Sequence, residues 1–237
     1  MIKSVLTSFA FASGVANRIA LSVAFAALVM FGSGVAHAGT IVGAVSVSAS
    51  VSDLNLSFPI ANLINQSGIS MNYSSGVTDF DTFVGAATLT GNPSWTGGGG
   101  WASTTGNSFP ATIDFDLGAA HNITRMALWN DTDVQALGNF ELFASADALF
   151  TSLTSLGSFS GVVQNVGTLA QVFDMTDATT QYIRVKGSTV GSQNGLLNIG
   201  EFAFEAGSSV VPEPTSLTLW TLGLVGMTFV RLRARQS

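Results

Sequence analysis

The sequence contains no cysteine. Disulfides, thiolate metal sites and cysteine nucleophiles are therefore excluded, and the fold must rest on its hydrophobic core. Charge is scarce too: 9% of the 237 residues are charged, and the formal net charge is −6. Between residues 39 and 210 only Arg125, Arg184 and Lys186 are basic, against more than ten carboxylates. Such a surface repels phosphate backbones, which argues against a nucleic-acid partner. Histidine is nearly missing. His37 falls in a leader-like segment and leaves His121 as the one histidine of the central region. A multi-histidine metal centre is thereby excluded, and nothing around His121 resembles a nucleophile elbow. No fixed-period repeat is visible, which speaks against a solenoid or propeller.

Both ends read as address segments. Residues 1–38 have the pattern of a secretory signal peptide. Lys3 and Arg18 supply positive charge, an apolar run extends from Ile19 to about Phe31, and Ala36-His37-Ala38 forms an A-x-A site for signal peptidase. Cleavage after Ala38 would make Gly39 the first residue of an exported chain. The tail, 211–237, opens with Val211-Pro212-Glu213-Pro214. An apolar run from Ser216 to Val230 follows, and Arg231, Arg233 and Arg235 close it. Fifteen helical residues span about 22 Å, short for a ~30 Å hydrocarbon core, and snorkelling arginines make up part of the gap. The arginines hold that end in the cytoplasm, so the preceding domain faces outward. The two prolines keep the backbone before the span extended, as a membrane protease or transpeptidase requires.

The order of motif, span and basic cluster resembles the PEP-CTERM sorting signal of Gram-negative bacteria. The resemblance implies an exosortase that recognises the Pro-Glu-Pro motif and removes the helix. It also implies an inner-membrane intermediate and a final place at the cell surface or outside the cell. Hosts of such proteins typically make extracellular polysaccharide and grow as biofilm.

Residues 39–210 leave one domain's length of chain, enough to bury a core. Val45, Val47, Ala49 and Val51 alternate with polar residues, a strand period, whereas the glycine run Gly97–Gly100 excludes a helix of normal length there. From residue 111 the pattern becomes regular. Ile113, Phe115 and Leu117 alternate with Asp114 and Asp116, and Ile123 to Trp129 is apolar. Phe140, Leu142 and Ala144 alternate again. Val172–Met175, Tyr182–Val185 and Ile199–Phe204 complete the series, with turn residues at Gly118, Asn130-Asp131, Gly138-Asn139, Gly157, Gly187 and Gly195. Short, evenly spaced strands predict an all-β sandwich or barrel.

Several segments, in order, resemble discoidin-like domains, the galactose-binding-like jelly roll also found in coagulation factors. Asp116-Leu117-Gly118 followed by Ile123 to Trp129 matches that family's central strands. Ser145 and Asp147 match its Ser-x-Asp turn, Tyr182-Ile183-Arg184 its Tyr-Ile-Arg strand, and Glu201 the glutamate of its closing strand. The resemblance covers about residues 45–206 and implies a single jelly-roll β-sandwich. It also implies a structural calcium near an early Asn-x-x-Asp-Gly loop and the closing strand. The counterparts are Asn65, which stands where an aspartate is usual, and Glu201.

Among the remaining candidates, Asp114 and Asp116 share one side of a strand and read either as a glycosidase carboxylate pair or as the polar face of a half-buried strand. Asp79 with Asp81, and Asp131 with Asp133, read as calcium ligands or as turn formers. Arg184 reads as half of a structural ion pair, and Trp129 as core. Trp95 and Trp101 flank the glycine run. They read as faces that stack on a sugar ring, with Asp79, Asp81 and Asn92 accepting from its hydroxyls, or as plugs at one end of the sandwich. The expected function is a non-catalytic envelope or extracellular module that binds carbohydrate such as the cell's own exopolysaccharide. The alternatives are a structural biofilm-matrix protein without a small ligand and a glycoside hydrolase.

Overall fold

The computed structural model describes residues 39–91, 99–106, 109–191 and 195–207. Eight strands appear among them: β1 (Thr40–Val42), β2 (Ser46–Ala49), β3 (Trp101–Ala102), β4 (Ala111–Asn130), β5 (Leu137–Ser145), β6 (Leu153–Ser160), β7 (Gln171–Thr189) and β8 (Asn198–Ala206). A 3-10 turn (Ile60–Leu63) and one short α-helix, α1 (Phe80–Val84), precede β3.

All strand pairings are antiparallel. The two central runs expected as separate short strands, 113–117 and 123–129, are halves of one long strand. β7 likewise joins the expected 172–175 and 182–185. β4 and β7 pair along their length, but the register jumps between Asp116↔Tyr182 and His121↔Thr180. Four residues of β4 oppose one of β7 there, an irregularity that bends both strands. Gly118 sits in the bend at φ +78, a left-handed conformation that glycine adopts without strain. His121 lies in this bend inside the strand.

Each half of the β4–β7 ribbon therefore builds a different layer. The N-terminal half of β4 and the C-terminal half of β7 join β2, β5 and β6 as a first sheet. The other halves join β8 and β1 as a second sheet, with β3 added to β8. Between the layers lies the main core, which includes Ile113, Phe115 and Leu117 from β4, Leu142 from β5, Ile183 and Val185 from β7, and Phe202 and Phe204 from β8. Phe115 meets Phe202 and Phe204 edge-on at 5.1 and 5.3 Å. The alternation read from the sequence is this inward face.

β8 does not alternate: from Asn198 to Glu205 every residue is buried. Its second face is covered by the chain between β1 and β3. Ile69, Tyr73, Phe80, Phe83 and Leu89 pack there against Ala127, Trp129 and Ala203, making a second apolar cluster. Trp129 is core, as expected, and its indole N–H donates to the Ala87 carbonyl at 3.0 Å. The two sheets thus differ. In the second, β8 and the far half of β4 are covered on both faces, whereas the outward residues of the first stay partly open to solvent.

Candidate functional site

The aromatic loop expected to stack on a sugar is not what the described residues form. Trp101 is fully buried in the main core, and its indole N–H donates to Asp53 Oδ1 at 2.8 Å. With its one polar atom satisfied, Trp101 is a core plug with no face for a ligand. Gly99 explains part of the glycine run: at φ +68, a Cβ there would lie 2.1 Å from the Ser67 carbonyl oxygen. Asp79 caps α1 by accepting from Thr82 N at 2.8 Å, which together with the Thr82 side chain holds its carboxyl below the usual range. Asp81 accepts from Arg125 Nη1 at 2.8 Å and is 58% exposed. Asn92 and Trp95 lie outside the described residues, as do Val211, Pro212, Glu213, Pro214, Arg231, Arg233 and Arg235.

Arg125 anchors the cover of the second sheet. Its guanidinium donates to both oxygens of Glu205 at 2.5 and 2.7 Å and lies 4.7 Å over the Phe80 ring. Burial pushes the Glu205 carboxyl up, but hydrogen bonds from Arg125 and Thr124 outweigh it and hold the group below its ordinary value.

Asn65 and Glu201 are brought to one place through the residue between Asn65 and Ser67. Gln66 adopts φ +67, and its N–H donates to Glu201 Oε2 at 2.8 Å. The other oxygen, Oε1, is buried with no partner, and burial raises the Glu201 carboxyl well above its ordinary range. A buried carboxylate lacking a cation is costly unless it takes a proton or a metal. Asn65 Oδ1 faces Ser67, accepting from its N–H at 2.9 Å and its hydroxyl at 2.5 Å. The orphaned Oε1 is a hard oxygen of the kind a calcium ion takes, while Asn65 Oδ1 is engaged by Ser67. No group of three or more acidic or histidine side chains gathers as a metal cluster among the described residues.

Asp131 and Asp133 behave as turn formers, accepting from Thr132 N at 2.6 Å and Val134 N at 2.7 Å. Asp131 is nevertheless fully buried. Asn198 Nδ2 reaches its Oδ2 at 3.2 Å, and Asn198 Oδ1 has no partner. Burial, helped by the Asp133 charge and opposed by the Thr132 and Asn198 hydrogen bonds, raises the Asp131 carboxyl to about 6.

The open face of the first sheet is where polar and aromatic groups converge. Asp114 and Asp116 from β4 stand beside Tyr182, Arg184 and Lys186 from β7, in register Asp116↔Tyr182 and Asp114↔Arg184. Arg184 is half of an ion pair, as expected: Nε and Nη2 donate to the two Asp114 oxygens at 2.6 and 2.7 Å. The Phe150 ring covers the guanidinium at 4.3 Å, and its centroid lies 6.1 Å from that of Tyr182. Asp116 accepts from Gly118 N and Gln181 Nε2. A hollow of about 160 Å³ opens here between Tyr182, Phe150, Asp114, Asp116, Ser46 and Ser48. Farther along the same face lies a hollow of about 360 Å³, lined by Pro110, Asn139, Glu141, Ser158, Phe159 and Lys186 among others. Aromatic surface bordered by carboxylates, hydroxyls and amides suits a ligand with an apolar face and a rim of hydroxyls. Tyr182 and Phe150 were not among the expected site residues. The alternation of Tyr182, Arg184 and Lys186 about buried Ile183 and Val185 was the available signal for their shared face.

No curated protein matches the chain. Among solved structures it is similar to the CBM32 of AlyQ in complex with 4,5-unsaturated mannuronic acid, at 21% identity, covering 69% of this chain and 96% of that one, with a TM-score of 0.45. The family 32 CBM from C. perfringens NanJ in complex with galactose is 13% identical over 70% of this chain and 98% of that one, TM-score 0.45. A pectin binding carbohydrate binding module is 16% identical over 72% and 94%, TM-score 0.45. The F5/8 type C domain family matches residues 70–202, more than half of the sequence and the stretch that holds both halves of the β4–β7 ribbon, and the chain belongs to that family.

Proposed function

We propose that this chain is an exported, non-catalytic carbohydrate-binding protein whose binding surface is the open face of the first sheet. The observation that carries the reading is the hollow at Tyr182 and Phe150, where aromatic surface meets Asp114, Asp116 and two serine hydroxyls. A pyranose ring offers an apolar C–H face to the partly exposed Tyr182 ring, which the buried Phe150 backs, and hydroxyls to the oxygens. The same carboxylates do not support hydrolysis. Asp114 is neutralised by a bidentate arginine, and Asp116 accepts two hydrogen bonds, so neither stands as a proton donor beside an empty site. Binding of the full chain to immobilised neutral polysaccharides, compared with Tyr182→Ala, tests this. Loss of binding in the variant with an unchanged melting curve is expected. Failure of the unaltered chain to bind any glycan would favour a structural matrix protein.

Calcium, when bound, would be held by Glu201 and Asn65 and would tie the loop around Gln66 to the second sheet. The address segments complete the proposal. Signal peptidase would act after Ala38, and an exosortase would act at the Val211–Pro214 motif of a chain held in the inner membrane, which then delivers the domain to the cell surface or beyond. Among the described residues no helix is long and apolar enough to cross a membrane, and the apolar run 216–230 lies outside them.

A further inference from the structure

We infer that the open face binds a neutral polysaccharide lengthwise, as a run of several linked sugars laid obliquely across β7 from the β2–β4 side to the β5–β6 side, rather than a single terminal ring. The inference rests on the carbohydrate reading above and names the form of the ligand.

Its basis is the placement of the two hollows. Tyr182, Arg184 and Lys186 are two residues apart on one strand, so all three face outward. Tyr182 lines the first hollow and Lys186 the second. The two are four positions apart, about 13 Å at 3.3 Å per residue, and the hollows open to opposite sides of β7, so the distance between them is longer than one pyranose and is spanned by a short oligosaccharide. Between the hollows lies the Arg184–Asp114 pair, about a fifth exposed, with the Phe150 ring over its guanidinium. Each hollow combines apolar surface with hydrogen-bonding groups. The first has Tyr182 and Phe150 with serines and carboxylates. The second has Pro110 and Phe159 with Asn139, Glu141 and Ser158. A lone ring can fill only one of them. A chain filling both gains the second contact at high effective concentration, which multiplies weak affinities.

Charge selects the neutral class. Arg125 and Arg184 are held in ion pairs, and Lys186 is the one cation of the described residues outside such a pair. A single lysine opposite Glu141 does not overcome a net charge of −6, so a polyanion is repelled as it approaches.

The test is calorimetric titration of the detergent-purified full chain with neutral β-linked glucan and galactan oligosaccharides, from monosaccharide to hexasaccharide, and with a polyuronate of similar length. Affinity is expected to rise about tenfold or more with length and then level off, with no uptake of the polyuronate at low salt. Lys186→Ala, or Ser158→Trp to fill the far hollow, should reduce hexasaccharide affinity to that of the monosaccharide while leaving monosaccharide binding at Tyr182 unchanged. Affinity independent of length, or a hexasaccharide indifferent to both far-hollow changes, would overturn the lengthwise mode and leave the carbohydrate reading intact. Tighter binding of the polyuronate would overturn the neutral class. Absence of binding to any sugar would overturn both readings.

Discussion

Replacing Asp131 with asparagine should make the protein more stable at neutral pH. Asp131 is fully buried, and no cationic side chain pairs with it among the described residues. Its carboxyl is raised from 3.8 to about 6. At about 1.4 kcal/mol per pH decade, holding it ionised at pH 7 costs about 3 kcal/mol. Asparagine keeps an oxygen for the Thr132 N–H but loses the charge on that bond, a loss of about 1 kcal/mol. It adds an amide N–H able to reach the orphaned Asn198 Oδ1 after rotation of that side chain. The net gain is about 2 kcal/mol, or about 4–8 °C in melting temperature for a domain of this size. The sign fixes the pH course. The folded-state value lies above the unfolded one, so between about pH 4 and pH 6 the native protein holds a proton that the unfolded chain has released. Stability from this group is complete below pH 4 and is lost as pH rises through 6. Glu201, also raised by burial, acts in the same direction in both proteins and cancels from the comparison. Thermal melts of the unaltered chain and Asp131→Asn from pH 4 to pH 7 should show an advantage that is full at pH 7 and absent at pH 4. A variant that is less stable at pH 7, or whose advantage does not depend on pH, would refute the reasoning.

Other outcomes can be checked as directly. Trp101→Ala should cost about 3–5 kcal/mol, read by urea unfolding, because it empties a core site and removes the indole hydrogen bond to Asp53. Arg125→Met should cost a similar amount by leaving buried Glu205 without its partner, and the loss should shrink as Glu205 is protonated in acid. Millimolar calcium should raise the melting temperature and a chelator lower it, through binding to the native state at Glu201 and Asn65. An unchanged curve removes the metal. Changing Glu213 and Pro214 to alanine should leave the chain in the inner membrane with its tail attached, as shown by fractionation and tail-specific antibody.

Legibility in the sequence followed the range of the interactions. Ile113, Phe115 and Leu117 announce an inward face because side-chain alternation is local, and Ile199–Phe204 reads as a strand because a short, mostly apolar run after a turn glycine is local too. Arg184 was legible as an ion-pair partner because cations are so few. Trp101 was not decidable from its neighbours: Gly and Thr surround it in sequence, while its partner Asp53 comes from 48 residues away. The second apolar cluster was hidden similarly, since Tyr73, Phe80 and Phe83 are scattered among serine, threonine and glycine and gain meaning only against β8. β6 was missed because Gly157, read as a turn, sits inside the strand at a bulge opposite Leu142. The face that holds Tyr182 and Phe150 depends on β7 crossing between β4 and β5, a topological fact that no local window contains.

The bent ribbon has a mechanical consequence. β8, the last described strand, lies between β1 and the far half of β4, antiparallel to both. A pull on the chain beyond residue 207, resisted by a load on the near halves of β4 and β7, enters the β4–β8 pair at one end, where Ala206 faces Ile123 beside the bend. The hydrogen bonds between β8 and β4 are then opened one after another from that end instead of being strained together. Because β4 and β7 are continuous through the bend, that tension passes from one layer to the other along covalent backbone, with no interface between sheets to slip.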